Sequence, residues 1–191
     1  MISRILQGQL KENLKKDKVI ILYGARQVGK TTLLKAFESN ISESILWING
    51  DLAKYHSIFS AKSKETLTDL IDQHTFLIID EAQNLPEIGV NLKILHDEFP
   101  GLKIIATGSS ALQIASKTKE ALTGRTVSLH LFPISIAELL RNNSAFDVKN
   151  DLHNYLLYGM YPEVIMLQGV SGKKMHLEEL SSAYLYKIFC N

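Results

Sequence analysis

The feature that most constrains the fold is a glycine-rich segment between an apolar run and a helical pattern. Residues 19–23 are continuously apolar, and apolar side chains recur three and four positions apart after Lys30. Between them, residues 24–31 read GARQVGKT and fit the phosphate-binding pattern GxxxxGK[ST]. Such a loop requires a strand before it and a helix after it. The sequence therefore predicts a strand, a phosphate-binding loop and a helix, in that order.

Each residue type in this loop has a physical role. Gly24 and Gly29 allow the backbone to wrap so that successive N–H groups point inward, and the following helix adds its positive end. Lys30 is predicted to bridge the β- and γ-phosphates of a nucleotide, and the Thr31 hydroxyl to bind Mg²⁺. Arg26 is interpreted as solvated or paired with a carboxylate. The predicted nucleotide-binding residues are Gly24, Ala25, Arg26, Gln27, Val28, Gly29, Lys30, Thr31 and Thr32.

Two acidic residues follow a second apolar run. Residues 76–79 read FLII and lead directly into Asp80 and Glu81. A strand ending here would deliver both acids beside the phosphate loop, where Asp80 would hold Mg²⁺ and Glu81 would orient and polarise an attacking water. An apolar strand that ends in acids is also common without such a role. Because a strand and a helix fit between Lys30 and Asp80, we favour the functional interpretation.

Hydroxyl and guanidinium side chains further along complete the candidate site. The apolar run at 104–106 leads into Thr107 and Ser109, either of which would contact the γ-phosphate or the attacking water. A turn that caps the next helix is an equal alternative for each of them. Arg125 would stabilise transition-state charge in its own subunit or a neighbour's, or is a surface arginine beside a turn. The predicted catalytic residues are Glu81, Lys30, Ser109 and Arg125.

The apolar runs that alternate with helical patterns predict the fold class. They lie at residues 19–23, 44–48, 76–79, 103–106 and 127–132. The middle three are nearly continuous in apolar residues, which favours parallel strands buried on both faces. The chain is therefore predicted to be an α/β protein, a three-layer α/β/α sandwich with a mainly parallel five-stranded sheet and C-terminal helices.

The ends of the chain differ from this core. After residue 133 the strand-like runs disappear, and Ser135 and Glu138 have the spacing of a helix capping box. Gly159 is placed to end a helix and Pro162 to begin one. The predicted segments are an N-terminal amphipathic helix at 1–17, the core with the phosphate loop at 18–141 and a helical, truncated C-terminal region at 142–191.

Composition limits the classes of function. Hydrophobic residues make up 46% and charged residues 21% of the 191, which is typical of a globular chain. The formal net charge of +1 argues against a polyanion-binding surface over the whole molecule. Cys190 is the only cysteine, so an internal disulfide is excluded, and the histidines show no zinc pattern. Because no apolar run is long enough for a membrane span, we expect a soluble, cytoplasmic protein without a membrane partner.

The ordered string of motifs resembles one family of P-loop ATPases. The segments that carry the resemblance are GARQVGKTTLLKAF, WINGD, FLIIDEAQNLP, IIATGSSALQI, LTGR, LFPISIAELL and YGMYPEV. They are similar to the AAA-type ATP-binding proteins in which an AAA domain precedes a C-terminal domain of unknown function, of the DUF4143 type. The resemblance extends over nearly the whole chain, from about Arg4 to about Lys187.

This resemblance implies an AAA+-like core with strand order 5-1-4-3-2, and ATP and Mg²⁺ as cofactors. It implies the same roles for the phosphate loop, for Asp80 and for Glu81, and makes Ser109 or Thr107 the sensor of the γ-phosphate. Arg125 falls in the family's LxGR position, where a finger or sensor role is implied.

The chain departs from the family pattern in two respects. Gly159-Met160 stands where family members commonly have two glycines, and members normally continue into a second domain. We therefore expect either a fragment or a naturally shortened protein. Gln83 matches the family's DExQ motif, but its role has no explanation in the sequence.

Three hypotheses for the function follow. In the first, the chain hydrolyses ATP; adenine is favoured because no guanine-reading NKxD motif follows the loop. In the second, it is a nucleotide-dependent binding switch with negligible turnover, whose partner is a protein, a second copy of the chain or a nucleic acid. The third is nucleic-acid association through the basic first helix, with Lys11, Lys15, Lys16 and Lys18, and the sequence favours it least.

Overall fold

The computed structural model describes residues 2–109 and 122–189. Five strands form one sheet: β1 Val19–Tyr23, β2 Ile45–Asn49, β3 Phe76–Asp80, β4 Lys103–Gly108 and β5 Thr126–His130. The described helices before and between these strands are α1 Leu6–Asn13, α2 Lys30–Glu38, α3 Ala53–Ala61, α4 Lys64–Ile71 and α5 Ile88–Glu98, with a short 3-10 turn at Ala82–Asn84. The described helices that follow the sheet are α6 Ile136–Leu139, α7 Ala145–Asn150, α8 Leu152–Tyr158, α9 Pro162–Met166 and α10 Val170–Phe189.

All neighbouring strands are parallel, in the order β2-β3-β4-β1-β5. This is the predicted order 5-1-4-3-2 counted from the opposite edge, so that prediction is confirmed. The register pairs Tyr23 with Gly108, Ile79 with Ala106 and Asn49 with Asp80. The carboxyl ends of β1, β3 and β4 therefore meet at one edge of the sheet.

Strand β1 shows why its apolar run is continuous rather than alternating. Val19, Ile21 and Tyr23 belong to the hydrophobic cluster on one face of the sheet, whereas Ile20 and Leu22 belong to the cluster on the other. All five are buried. Both faces of this strand are covered, as expected for a parallel sheet between two helical layers, so the predicted three-layer architecture is confirmed.

Two helices differ from what the sequence indicates. The helix predicted over residues 1–17 is shorter in the structure, where α1 spans Leu6–Asn13 and buries Leu6 and Leu10. Helix α3 was not predicted, because Phe59 is its only fully buried residue and the apolar period is weak. Phe59 lies in the core cluster and Tyr55 and Ile58 pack against it, and these contacts hold the helix once the sheet is formed.

The chain divides into two compact units, Ile5–Leu131 and a unit made of Met1–Arg4 with Phe132–Asn191. The division between these compact units falls after Leu131, and the segment boundary after residue 141 stays a prediction. In the second unit the capping box of Ser135 and Glu138 is confirmed. Gly159, with a φ of 80°, ends α8, and Pro162 begins α9, both as predicted. Within residues 2–109 and 122–189, no helix is both long and apolar enough to cross a bilayer.

The second unit contains an ion pair between its two chain segments. Arg4 Nε lies 3.1 Å from Glu138 Oε1, and the two side chains are only 8% and 6% exposed. Arg4 also donates to the Phe132 carbonyl oxygen. The other oxygen of Glu138 accepts from the backbone N–H of Ser135 at 2.9 Å. Glu138 therefore caps α6 and neutralises Arg4 at the same time.

Substituting Arg4→Ala should lower the free energy of unfolding by about 3–5 kcal/mol, because it leaves a buried carboxylate without its counter-ion. Urea denaturation followed by circular dichroism measures this change. The matched control is Lys64→Ala, which removes an exposed 2.7 Å pair with Glu98 and should have little effect. Equal destabilisation by both substitutions would contradict the assignment of the Arg4 pair as a structural anchor.

Candidate functional site

The predicted phosphate loop connects β1 to α2. Helix α2 begins at Lys30, directly after Gly29, whose φ of 96° lies in the left-handed region that favours glycine. Gln27 also has a left-handed backbone, with a φ of 60°. Alternation of right- and left-handed residues turns successive N–H groups to the same side and forms a concavity that binds anions. This concavity opens at the N-terminal, positive end of α2.

Gly24 is required for a different reason, which is space. A Cβ atom at this position would lie 2.6 Å from the carbonyl oxygen of Leu131 and 2.9 Å from Cγ1 of Val28. Val28 is fully buried and joins the hydrophobic cluster beneath the loop. The side chain of Val28 therefore anchors the loop to the core, and it fits there because Gly24 has no side chain.

Lys30 is a buried cation within this loop. It is 5% exposed, and its Nζ donates to the carbonyl oxygens of Gly24 at 2.9 Å and Ala25 at 3.0 Å. Burial lowers the pKa of Lys30 below its ordinary value, although the nearby charges of Glu81 and Asp80 act in the opposite direction. A buried ammonium group in a loop at the N-terminal end of a helix fits an anionic ligand such as a phosphate chain.

Asp80, the last residue of β3, accepts hydrogen bonds from two hydroxyl groups. Thr31 Oγ1 donates to Asp80 Oδ2 at 2.7 Å, and Thr107 donates to Asp80 Oδ1. Hydroxyl and carboxylate oxygens are the ligands that Mg²⁺ prefers, and it binds them beside substrate phosphates. The residues present therefore fit a magnesium ion, and Thr31 and Asp80 are the residues that would hold it.

The backbone of Glu81 lies in the left-handed region, with φ 50° and ψ 44°. Its N–H donates to Thr107 Oγ1 at 3.2 Å, and its carbonyl oxygen accepts from the Asn84 N–H at 3.0 Å. Gly50 packs against the same carbonyl: a Cβ on Gly50 would lie 2.3 Å from that oxygen. The side chain of Glu81 is held by Gln83, whose Nε2 donates to Glu81 Oε2 at 2.5 Å.

The structure separates the two hydroxyl candidates at the end of β4. Thr107 is fully buried and bonds both acidic residues, so its hydroxyl links β4 to β3. Ser109 lies one residue beyond the end of β4 and is half-buried. Ser109 therefore remains the candidate for a γ-phosphate contact, while Thr107 orders the acids.

Arg125 does not lie near the phosphate loop of its own chain. Its carbonyl oxygen accepts from the Val19 N–H at the amino end of β1, whereas the loop follows the carboxyl end. At about 3.3 Å per residue, the five residues of β1 separate the two by about 16 Å. Arg125 Nε instead donates to Asp97 Oδ1 at 2.8 Å. The hydrogen bond from Arg125, and to a smaller extent the one from His96, holds the pKa of Asp97 below its ordinary value. This position argues against the alternative in which Arg125 acts within its own subunit.

Two residues of the site were not assigned a role from the sequence. Gly50 follows β2 at the point where the backbone of Glu81 approaches, and its N–H donates to the Asp80 carbonyl at 2.8 Å. The signal was present as the glycine of WINGD, but the need for it depends on contact across the sheet. In the sequence Gln83 stands out only as part of the DExQ motif. In the structure its side-chain amide donates a hydrogen bond to the carboxylate of Glu81, the candidate catalytic residue.

Substituting Gly50→Ala should displace the backbone of Glu81 and lower the free energy of unfolding by about 1–3 kcal/mol, the usual cost of overpacking. Chemical denaturation followed by the fluorescence of Trp47, on the preceding strand β2, measures it. Gly8→Ala is the control, because Gly8 is an exposed residue of α1 and a Cβ there would meet nothing within 4 Å. That substitution should stabilise the protein by about 0.5–1 kcal/mol. A Gly50→Ala protein as stable as the wild type would contradict the proposed contact.

Comparisons with known proteins agree with this geometry. The family model described as "AAA domain" matches residues 16–140. Uncharacterized protein MJ1544 of Methanocaldococcus jannaschii is 22% identical over 200 residues, which cover 97% of this chain and 45% of the relative. An uncharacterized protein of Haemophilus influenzae is 28% identical over 164 residues, which cover 78% of this chain and 41% of that relative. The chain thus spans less than half the length of these relatives.

A solved structure shows the same fold. The Walker-type ATPase PABY2304 of Pyrococcus abyssi superposes with a TM-score of 0.68 at 20% identity, over 98% of this chain and 75% of that one. The family model covers well over half of the chain, and the strand order and loop geometry agree with it. The chain therefore belongs to the AAA-domain family of P-loop ATPases.

Proposed function

We propose that this chain binds ATP with Mg²⁺ and hydrolyses it to ADP and phosphate. The observation that carries the proposal is the hydrogen-bonded group at the carboxyl edge of the sheet. There Thr31 and Thr107 bind the two oxygens of Asp80, next to Glu81 and the buried Lys30. A cation, a metal-binding pair and a carboxylate lie together, which is the set that phosphoryl transfer to water requires.

In the proposed reaction the loop N–H groups and the N-terminal end of α2 bind the phosphates. Lys30 offsets the charge on the β- and γ-phosphates, and Thr31 with Asp80 holds the magnesium ion. The ion, when bound, neutralises charge on the phosphate oxygens. Glu81 accepts a proton from the water that attacks the γ-phosphorus, and the bond to the bridging oxygen of ADP breaks. Ser109 is proposed to contact the γ-phosphate.

Substituting Lys30→Ala should weaken ATP binding, and Glu81→Gln should lower phosphate release by about 10²–10⁴-fold while ATP still binds. Phosphate release at saturating ATP and nucleotide affinity by fluorescence titration measure the two effects. The matched controls are Lys35→Ala on the exposed face of α2 and Glu87→Gln in an exposed turn, which should retain wild-type rates. Equal rates in all variants would contradict the catalytic assignment.

A second candidate function is a nucleotide-dependent binding switch with negligible turnover. It is supported by the ion pair that holds Arg125 with Asp97 at the amino edge, away from the loop of its own chain. A chain that hydrolyses ATP slowly by itself would signal its nucleotide state to a partner through ordered surfaces. Tight ATP binding with wild-type turnover no faster than that of Glu81→Gln would favour the switch.

The cytoplasmic location stays a prediction.

If a second copy of the chain supplies Arg125 to the γ-phosphate, phosphate release per molecule should rise with protein concentration. Arg125→Ala should then abolish that rise, because the transition state loses a positive charge. Turnover and molecular mass measured together over a dilution series, with and without ATP and Mg²⁺, test this. A specific rate that is constant over the whole series would contradict a site shared between copies.

A further inference from the structure

A buried glutamine lies directly against the carboxylate that the proposed reaction uses as a base. Gln83 Nε2 donates to Glu81 Oε2 at 2.5 Å, and Gln83 is 5% exposed. An N–H that binds an ionised carboxylate makes a charge-assisted hydrogen bond, and burial strengthens it. From this contact we propose that Gln83 is a positioning residue that holds the Glu81 carboxylate for proton transfer from water. The inference rests on the proposed function and adds a residue to it.

The local backbone fixes the amide relative to the carboxylate. Gln83 is the middle residue of the 3-10 turn Ala82–Asn84, which starts directly after Glu81. The turn is closed by the Asn84 N–H on the Glu81 carbonyl at 3.0 Å and the Leu85 N–H on the Ala82 carbonyl at 3.1 Å. The left-handed backbone of Glu81 reverses the chain at this point. Donor and acceptor are thus two residues apart on one ordered turn.

The hydrogen bond from Gln83 gives the two carboxylate oxygens of Glu81 different roles. Oε2 accepts from Gln83, so Oε1 is the oxygen that would accept the proton of the attacking water. A general base transfers a proton efficiently only when its oxygen is held within hydrogen-bond distance of the water in the right direction. Without the amide, the Glu81 side chain would rotate about its own bonds and reach that orientation less often.

The kinetic test replaces the donor and keeps the volume. Gln83→Met should lower kcat about 10- to 100-fold, the usual effect of removing a residue that orients a reacting group, with the Kd and KM for ATP unchanged. Gln83→Leu also removes the donor at similar size and should lower kcat, so it serves if the methionine variant does not fold. The matched control is Asn84→Ala in the same turn, whose side chain binds Asp51 instead. It should retain wild-type kcat.

Two further measurements separate positioning from a general structural role. In a Glu81→Gln background, Gln83→Met should lower turnover no further, because its effect passes through the carboxylate. In the nucleotide-free protein, the side-chain amide protons of Gln83, identified by their loss in Gln83→Met, should resonate downfield and move upfield in Glu81→Ala. This second measurement does not depend on ATP or on activity.

The outcomes distinguish this inference from the proposed function. Wild-type kcat in both Gln83 variants, a further loss in the Glu81→Gln background, or an amide signal that stays in place in Glu81→Ala would each overturn the role of Gln83. If turnover depends on Glu81 but not on Gln83, only the present inference is contradicted. Equal phosphate release by the wild type and Glu81→Gln would contradict the proposed function and this inference together.

Discussion

The hydrogen bonds at the Asp80 carboxylate are the interaction on which the candidate site depends. Strand β3 carries Asp80, helix α2 provides Thr31 for one oxygen and strand β4 provides Thr107 for the other. A partly buried carboxylate needs such donors, because desolvation without them is costly. The same two bonds therefore stabilise the charge and fix the phosphate loop, the acidic turn and the neighbouring strand relative to one another.

The turn after β3 is held in a conformation that the backbone alone does not prefer. A residue with a side chain in the left-handed region costs on the order of 1 kcal/mol or more, and such residues persist where surrounding contacts determine them. At Glu81 these contacts come from Thr107, from Asn84 and from the absence of a side chain at Gly50. The strain thus lies at the residue with the proposed chemical role, where a fixed orientation has functional value.

Much of the fold follows from patterns that are local in the chain. Strand β1 and the phosphate loop were predictable because continuous apolar residues mark a strand buried on both faces and GxxxxGK[ST] marks the loop. Glu138 was predictable as a cap because the capping box depends only on residues three apart. Helix α3 was not, because Phe59 is its only fully buried residue and contact with a formed core stabilises it.

By itself the sequence determined which chemical groups are available and in what order: a phosphate loop, an acidic pair, hydroxyls and an arginine. The tertiary structure alone decided which of them meet. Thr107 rather than Ser109 bonds the acids, Gly50 accommodates Glu81, and Arg125 lies at the opposite edge of the sheet. The physical reason is that these contacts join residues on different strands. Their proximity depends on strand order and register, which long-range packing of the sheet sets.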